Sequence, residues 1–201
     1  MFHGAHGLAG KWYPYQESIR VPLVIYDPRL PEDQRGITNE DYTLNIDLAS
    51  TILGAAGLPS DPVMQGRDMS DLYLPNKKDG KTALEREPWR KEFFYEFRNN
   101  IPGYIPSSDA FVGQRYKYIE WVDHWVNYTQ LFDMESDPFE IIDLLHNGNV
   151  TEEVRSIAAE MKKKMDDAAH SLRDNEPKLE CRKKPNAYAA FPPMTPEKQK
   201  K

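Results

Sequence analysis

Cysteine is almost missing from this chain: Cys181 stands alone among 201 residues. A single thiol forms no internal disulfide, so the fold has no covalent staples and the thiol says nothing of the compartment. No stretch is long and apolar enough to span a bilayer. The opening MFHGAHGLAGKW lacks the basic n-region and apolar run of a signal peptide. A concentrated basic face is also lacking. The net charge is −6 with both signs dispersed, and positive charge clusters only at Lys162–Lys164 and in the tail after Cys181. That excludes a general nucleic-acid binder. No internal repeat is present.

What is there suits a folded, loop-rich protein. Hydrophobic residues make up 39% and aromatics 11%, alongside 11 glycines and 16 prolines. The apolar run Val21–Tyr26 predicts a buried strand that ends at Asp27-Pro28. Residues 45–56 predict a short helix with Ile46, Ala49, Ile52, Leu53 and Ala56 on one face and Gly57 as its stop. One more helical turn is expected in 66–72. Strands are expected at 92–97, 110–113, 115–122 and 128–132. In 115–122, Tyr116, Tyr118 and Glu120 alternate with Lys117, Ile119 and Trp121. Residues 151–173 give the clearest signal: Thr151 as N-cap, Glu152 and Glu153 in the first turn, then Val154, Ile157, Ala158, Met161, Met165, Ala168, Ala169 and Leu172 at helical spacing. The fold class is therefore α/β: the end of an α/β layer (1–75), a linker (76–90), a small antiparallel sheet packed by one long helix (91–175), and a tail without fixed structure (176–201).

Chemistry concentrates at the start. Residues 4–22 read GAHGLAGKWYPYQESIRVP, with His3 and His6 between glycines and Lys11 just after Gly10. This segment resembles the sulfatase stretch G-x-H-G-L-x-x-K-x-x-x-Y-E-E-S-I-R-V-P. His6, Gly7, Leu8, Lys11, Tyr15, Glu17, Ser18, Arg20, Val21 and Pro22 fall in register. Asn45–Gly57 is similar to the family's D-x-x-P-T-L-L-x-x-A-G helix and Gln65–Asp68 to its Q-G-x-S/D-L turn. RYKYI (115–119) and LFDMESDPFEIIDLL (131–145) resemble its closing hairpin. The match runs over residues 1–170 and implies the alkaline-phosphatase-like fold.

The resemblance implies a sulfuric ester hydrolase that uses a formylglycine nucleophile and Ca²⁺ or Mg²⁺, on sulfated carbohydrates or aryl sulfate esters. It places Lys11 as the sulfate-binding lysine, a compact positive charge where sulfate oxygens gain charge; the structural alternative is one more solvated lysine. His6 is either a ligand-orienting group or a loop brace. Trp12 and Tyr15 line the substrate cleft or simply pack. Glu17 and Arg20 are expected to form a structural pair, and His3 is incidental. Ala5 and Gln16 depart from the pattern.

Other family residues have no counterpart. Cys181 lacks the C/S-x-P/A-x-R context and is no nucleophile; the early aspartates and the D-N/H-G of the metal site are missing, so no metal ligand is assigned. The chain is therefore expected to be the C-terminal part of a longer enzyme, inactive without an N-terminal half and exported to an extracellular, lysosomal or periplasmic compartment. Asn127 and Asn149 head glycosylation sequons. Three alternatives remain: a non-catalytic sulfated-glycan-binding module using Trp121, Trp125, Tyr128 and Tyr104, a phosphate or phosphonate ester hydrolase of the same fold, and a remnant with no role of its own.

Overall fold

The computed structural model describes residues 1–74, 88–98, 105–122 and 128–174. Its centre is a four-stranded antiparallel sheet in which β3 (Phe93–Phe97), β4 (Ser108–Val112), β5 (Tyr116–Trp121) and β6 (Tyr128–Asp133) pair in chain order. Period-two alternation divides their side chains between two faces. Phe111, Tyr118 and Leu131 point to one face. There α3 (Glu152–Asp174) lays Met161 and Met165 against them, with Val154, Ile157 and Ala158 alongside. Ala110, Ile119, Trp121 and Phe132 occupy the other face, where they meet Phe2 and Tyr15. The sheet is thus covered by a helix on one side and by the chain's first residues on the other.

The first segment contains little regular structure. The two-residue strands β1 (Phe2–His3) and β2 (Ala9–Gly10) pair with each other, and one helical turn, α1 (Gln16–Ile19), follows. After a long irregular stretch comes α2 (Asp47–Ala55), then a 3-10 turn at Met69–Leu72 capped by the Asp68 side chain, which accepts from the Ser70 amide at 2.9 Å. Ser50 ties α2 to the Gln65-Gly66 turn by donating to the Gly66 carbonyl at 2.8 Å. A side chain at position 66 would run into the Ile46 carbonyl, which is why glycine stands there.

The strands of the sheet, α2, the turn at 69–72 and α3 fall where the sequence places them, within two residues at most ends. The expected strand at 21–26 does not form. The segment is irregular in the structure, and Val24 and Tyr26 are 91% and 78% exposed. Its β-branched composition suits a strand, yet a strand exists only when a neighbour takes up its N–H and C=O groups, and no described strand lies beside it. The linker expected at 76–90 falls within the described residues only at Pro88–Arg90, and the tail at 176–201 falls outside them.

A turn clamped onto the sheet, beside an aromatic cleft

Residues 1–17 hold the candidate site. Gly4, Gly7 and Gly10 have φ of 97°, 69° and 80°, the left-handed region that glycine enters at little cost. They let the chain double back between β1 and β2. His6, at φ 53°, shares that conformation. Its ring stacks on Tyr15 with centroids 4.3 Å apart and planes 11° apart, and its Nε2 lies 3.5 Å from Glu17 Oε2. The backbone of the turn is open to water, but the His6 side chain is only 16% exposed. The imidazole is therefore braced between an aromatic ring and a carboxylate.

Tyr15 is buried, and its hydroxyl donates to Gln130 Oε1 on β6 at 2.8 Å. Burial pushes that hydroxyl up to about 12, so it stays protonated. Trp121 Nε1 donates to the same Gln130 oxygen at 3.3 Å. Tyr13 meets Trp121 edge-on at 5.7 Å. His6, Leu8, Tyr13, Tyr15, Trp121 and Ile141 together line an open cleft of about 600 Å³.

Beneath the cleft lies an ion pair with no solvent exposure. Lys117 Nζ on β5 is 2.5 Å from Glu140 Oε1, and both side chains are 0% exposed. Lys117 also donates to the Pro14 carbonyl at 3.0 Å. Glu140 Oε2 accepts from the Gln16 amide at 2.6 Å. Burial pushes the lysine's affinity for its proton down and the glutamate's up, while their mutual attraction opposes both changes. Glu140 is placed by the Asp137-Pro138 turn, where its own amide donates to the Asp137 carbonyl at 3.1 Å and its φ is 55°.

Comparison with known proteins supplies the family. A family described as N-sulphoglucosamine sulphohydrolase, C-terminal, matches residues 4–171. The chain belongs to this sulfatase family. Among relatives, an N-acetylglucosamine-6-O-sulfatase of Bacteroides thetaiotaomicron is 24% identical over 180 residues, which is 88% of this chain and 29% of that protein. An extracellular sulfatase SULF-1 homolog of Drosophila melanogaster is 33% identical over 99 residues, 47% of this chain and 8% of that protein. A solved structure of BT4656 in complex with its substrate D-glucosamine-2-N,6-O-disulfate superposes with a TM-score of 0.70 at 24% identity. It covers 89% of this chain and 34% of that one. The chain thus spans about a third or less of each of these relatives, and the sulfatase C-terminal fold is what it shares with them.

Within this sulfatase fold the expected site residues divide. His6 and Tyr15 come together at the cleft. Lys11 does not line it; this lysine is exposed one residue beyond Gly10 and forms no ion pair with a described residue. Trp12 is also outside the cleft, 47% exposed, with its ring 6.1 Å from Phe97 and its indole folded over Gly10. The expected Glu17–Arg20 pair does not exist. Glu17 faces His6, and Arg20, which ends α1, reaches Glu40 at 3.7 Å across solvent. Trp121 lines the cleft but is only 8% exposed and packs edge-on against Tyr13, so little of its ring is open to a ligand, while Trp125 and Tyr104 lie outside the described residues. Among the described residues no three His, Cys, Asp or Glu side chains converge as a metal-binding group, and no catalytic step through a metal is derived from this chain. Among those residues, too, no helix is long and apolar enough to cross a membrane.

Sequence reasoning misses two residues of the site, although both leave a signal. Lys117 falls on the apolar side of an alternating strand, between Ile119 and the Gly113 turn. A lysine there needs a buried acceptor. Glu140 closes the D-P-F-E run, so the acidic partner lies within the closing-hairpin motif itself.

Proposed function

We propose that this chain is the C-terminal, substrate-facing portion of a sulfatase that hydrolyses sulfate esters of sulfated polysaccharides. The observation that carries the reading is the turn itself. A glycine-flanked segment presents Lys11 to solvent with no ion-pair partner among the described residues, next in sequence to residues that build an aromatic cleft on a rigid sheet. An ammonium of this kind suits an anionic ester oxygen. Aromatic walls suit the apolar face of a sugar ring. In this reading Lys11 contacts the sulfate, His6 and Tyr15 shape the sugar pocket, and Trp12 shields the turn.

The nucleophile, the formylglycine, and the Ca²⁺ or Mg²⁺ ligands then come from protein N-terminal to this portion. The surface supports such a partner. Val21, Val24, Tyr26 and Ile52 are 70%, 91%, 78% and 68% exposed, and Ile25, Tyr26, Ile52 and Ala55 line one shallow hollow between the irregular 21–26 segment and α2. An apolar patch beside extended backbone outside any described sheet marks a surface made to be covered. Export to an extracellular or lysosomal-type compartment goes with the same reading.

The direct test is titration of the purified chain with D-glucosamine-2-N,6-O-disulfate and with unsulfated glucosamine, followed by calorimetry. Binding confined to the sulfated sugar is expected. Equal response to both sugars, or to neither, removes the substrate reading.

Export would also expose Asn149 to glycosylation. It lies on the surface before α3, whereas Asn127 is outside the described residues. Thr151 completes that sequon and also caps α3: its Oγ1 accepts from the Val154 amide at 3.3 Å. In protein secreted from eukaryotic cells, Asn149→Gln should lose the glycan mass alone. Thr151→Ala should lose the glycan and about 1 kcal/mol of stability, and Thr151→Ser should keep both. Intact-mass spectrometry and urea denaturation separate the three variants; a Thr151→Ala protein as stable as Asn149→Gln would remove the capping role.

A further inference from the structure

We infer that the buried Lys117–Glu140 pair is the positioning device of the turn: it fixes residues 14–16 on the sheet and so sets two parts of the aromatic cleft's lining. The inference rests on the sulfatase reading above for its ligand, but its geometry stands independently.

The physical need is specific. Residues 13–16, the last of which opens α1, pack on a sheet face without joining its ladder, so the ladder satisfies none of their backbone groups, and Pro14 is fully buried. A buried carbonyl or amide without a partner is costly. Lys117 supplies a donor to the Pro14 carbonyl at 3.0 Å and Glu140 an acceptor to the Gln16 amide at 2.6 Å. The two opposite charges lie 2.5 Å apart, Nζ to Oε1. These bonds are directional, so the segment can dock in one register only. Leucine or methionine at both positions would fill the same space and hold the segment by area, but would let it slide.

Stability alone does not account for the pair. Replacing a buried ion pair with apolar residues of similar volume is often neutral or stabilising. What the pair provides is placement. Pro14 and Gln16 flank Tyr15, whose ring forms one wall of the cleft and stacks on His6. Ile141, another residue of the cleft lining, directly follows Glu140. One ion pair thereby joins two parts of the cleft lining, Tyr15 and Ile141, and Lys11 sits three residues before the clamped segment. Lys117 and Glu140 touch no substrate in this arrangement. They act through Pro14, Tyr15, Gln16 and Ile141.

The test compares the ¹⁵N-labelled full chain with Lys117→Met/Glu140→Met, and with Lys117→Met/Glu140→Gln, which keeps an acceptor for the Gln16 amide. Amide exchange is read at Gln16 and Ser18, and at Ile119 and Leu131 as a measure of the sheet. Binding of D-glucosamine-2-N,6-O-disulfate is titrated in parallel. The double-methionine variant should keep the sheet protected, lose protection at Gln16, and bind the sugar about 10-fold more weakly, the effect of losing one well-placed polar contact. The Lys117→Met/Glu140→Gln variant should recover protection at Gln16 and part of the affinity.

Unchanged exchange at Gln16 with unchanged affinity overturns the inference. So does a uniform loss of protection through the sheet in both variants, because the pair is then a stability element and nothing more. If the parent chain binds no sugar, the substrate reading fails alone, and exchange at Gln16 against Ile119 still decides whether the pair positions the turn.

Discussion

Replacing Lys11 by alanine is expected to lower kcat/KM for sulfate ester hydrolysis about 100- to 1,000-fold in the complete sulfatase proposed above, the range typical of losing one preorganised group at a developing negative charge. The side chain is exposed and forms no ion pair with a described residue. Its removal therefore costs no packing, and stability should change by less than about 0.5 kcal/mol. That separation makes the experiment clean, since lost turnover cannot be ascribed to lost fold. Arginine at position 11 should restore only part of the rate, because a planar fork replaces a compact point charge. Steady-state kinetics on a sulfated sugar, with urea melts alongside, give both readouts. An alanine variant with parental kcat/KM would take Lys11 out of the mechanism.

Asp47→Ala should be among the most damaging single changes to stability, at about 3–5 kcal/mol. Asp47 opens α2 and is fully buried. Its Oδ2 accepts from the Leu44 amide at 2.7 Å and its Oδ1 from the Arg67 amide at 2.8 Å. Both oxygens also bind the Arg90 guanidinium, with Nη2 to Oδ1 at 2.8 Å and Nη1 on Oδ2. Arg90 lies against Trp89, whose other neighbour is Arg67. One carboxylate thus joins α2, the turn before the 3-10 helix, and the entry to β3. Alanine would leave two amides and a nearly buried guanidinium without it, Arg90 keeping only the Tyr42 carbonyl at 3.2 Å among these partners. Asp47→Asn should cost less, since one oxygen still accepts. A midpoint shift equivalent to less than about 1 kcal/mol for the alanine variant would mean that Arg90 finds another partner.

Periodicity made most of the scaffold legible before any coordinates. The alternation in 116–121 and the helical spacing of Val154, Met161, Met165 and Ala169 are direct records of which side is buried. The 21–26 segment misled for the same reason. Its composition predicts burial, while in the structure no described strand lies beside it to take up its backbone groups. The cleft was legible only in pieces. His6 and Tyr15 stood out through the motif, but their stacking depends on a left-handed histidine that no spacing rule announces. Lys117 and Glu140 were visible as residue types in the wrong surroundings; what joined them is a turn at Asp137-Pro138 bringing position 140 back beneath β5. Nothing in the sequence singled out Asp47, because a partner 43 residues away leaves no local trace.

The clamp at residues 13–16 has a bearing on how such a site can change. Phe2 is anchored in the core on one side of the turn, and Tyr13 to Gln16 are anchored on the other. Residues 3–12 form a tip held between two fixed ends, with its own short ladder inside. Substitutions at the exposed positions of that tip, such as Lys11, can alter the charge or shape it presents without disturbing the strands below, whereas Ala5, His6 and Leu8 pack inward. If the proposed sulfated-glycan reading holds, selectivity for one glycan over another can drift by exchange of a loop cassette, while the platform that aims it stays constant.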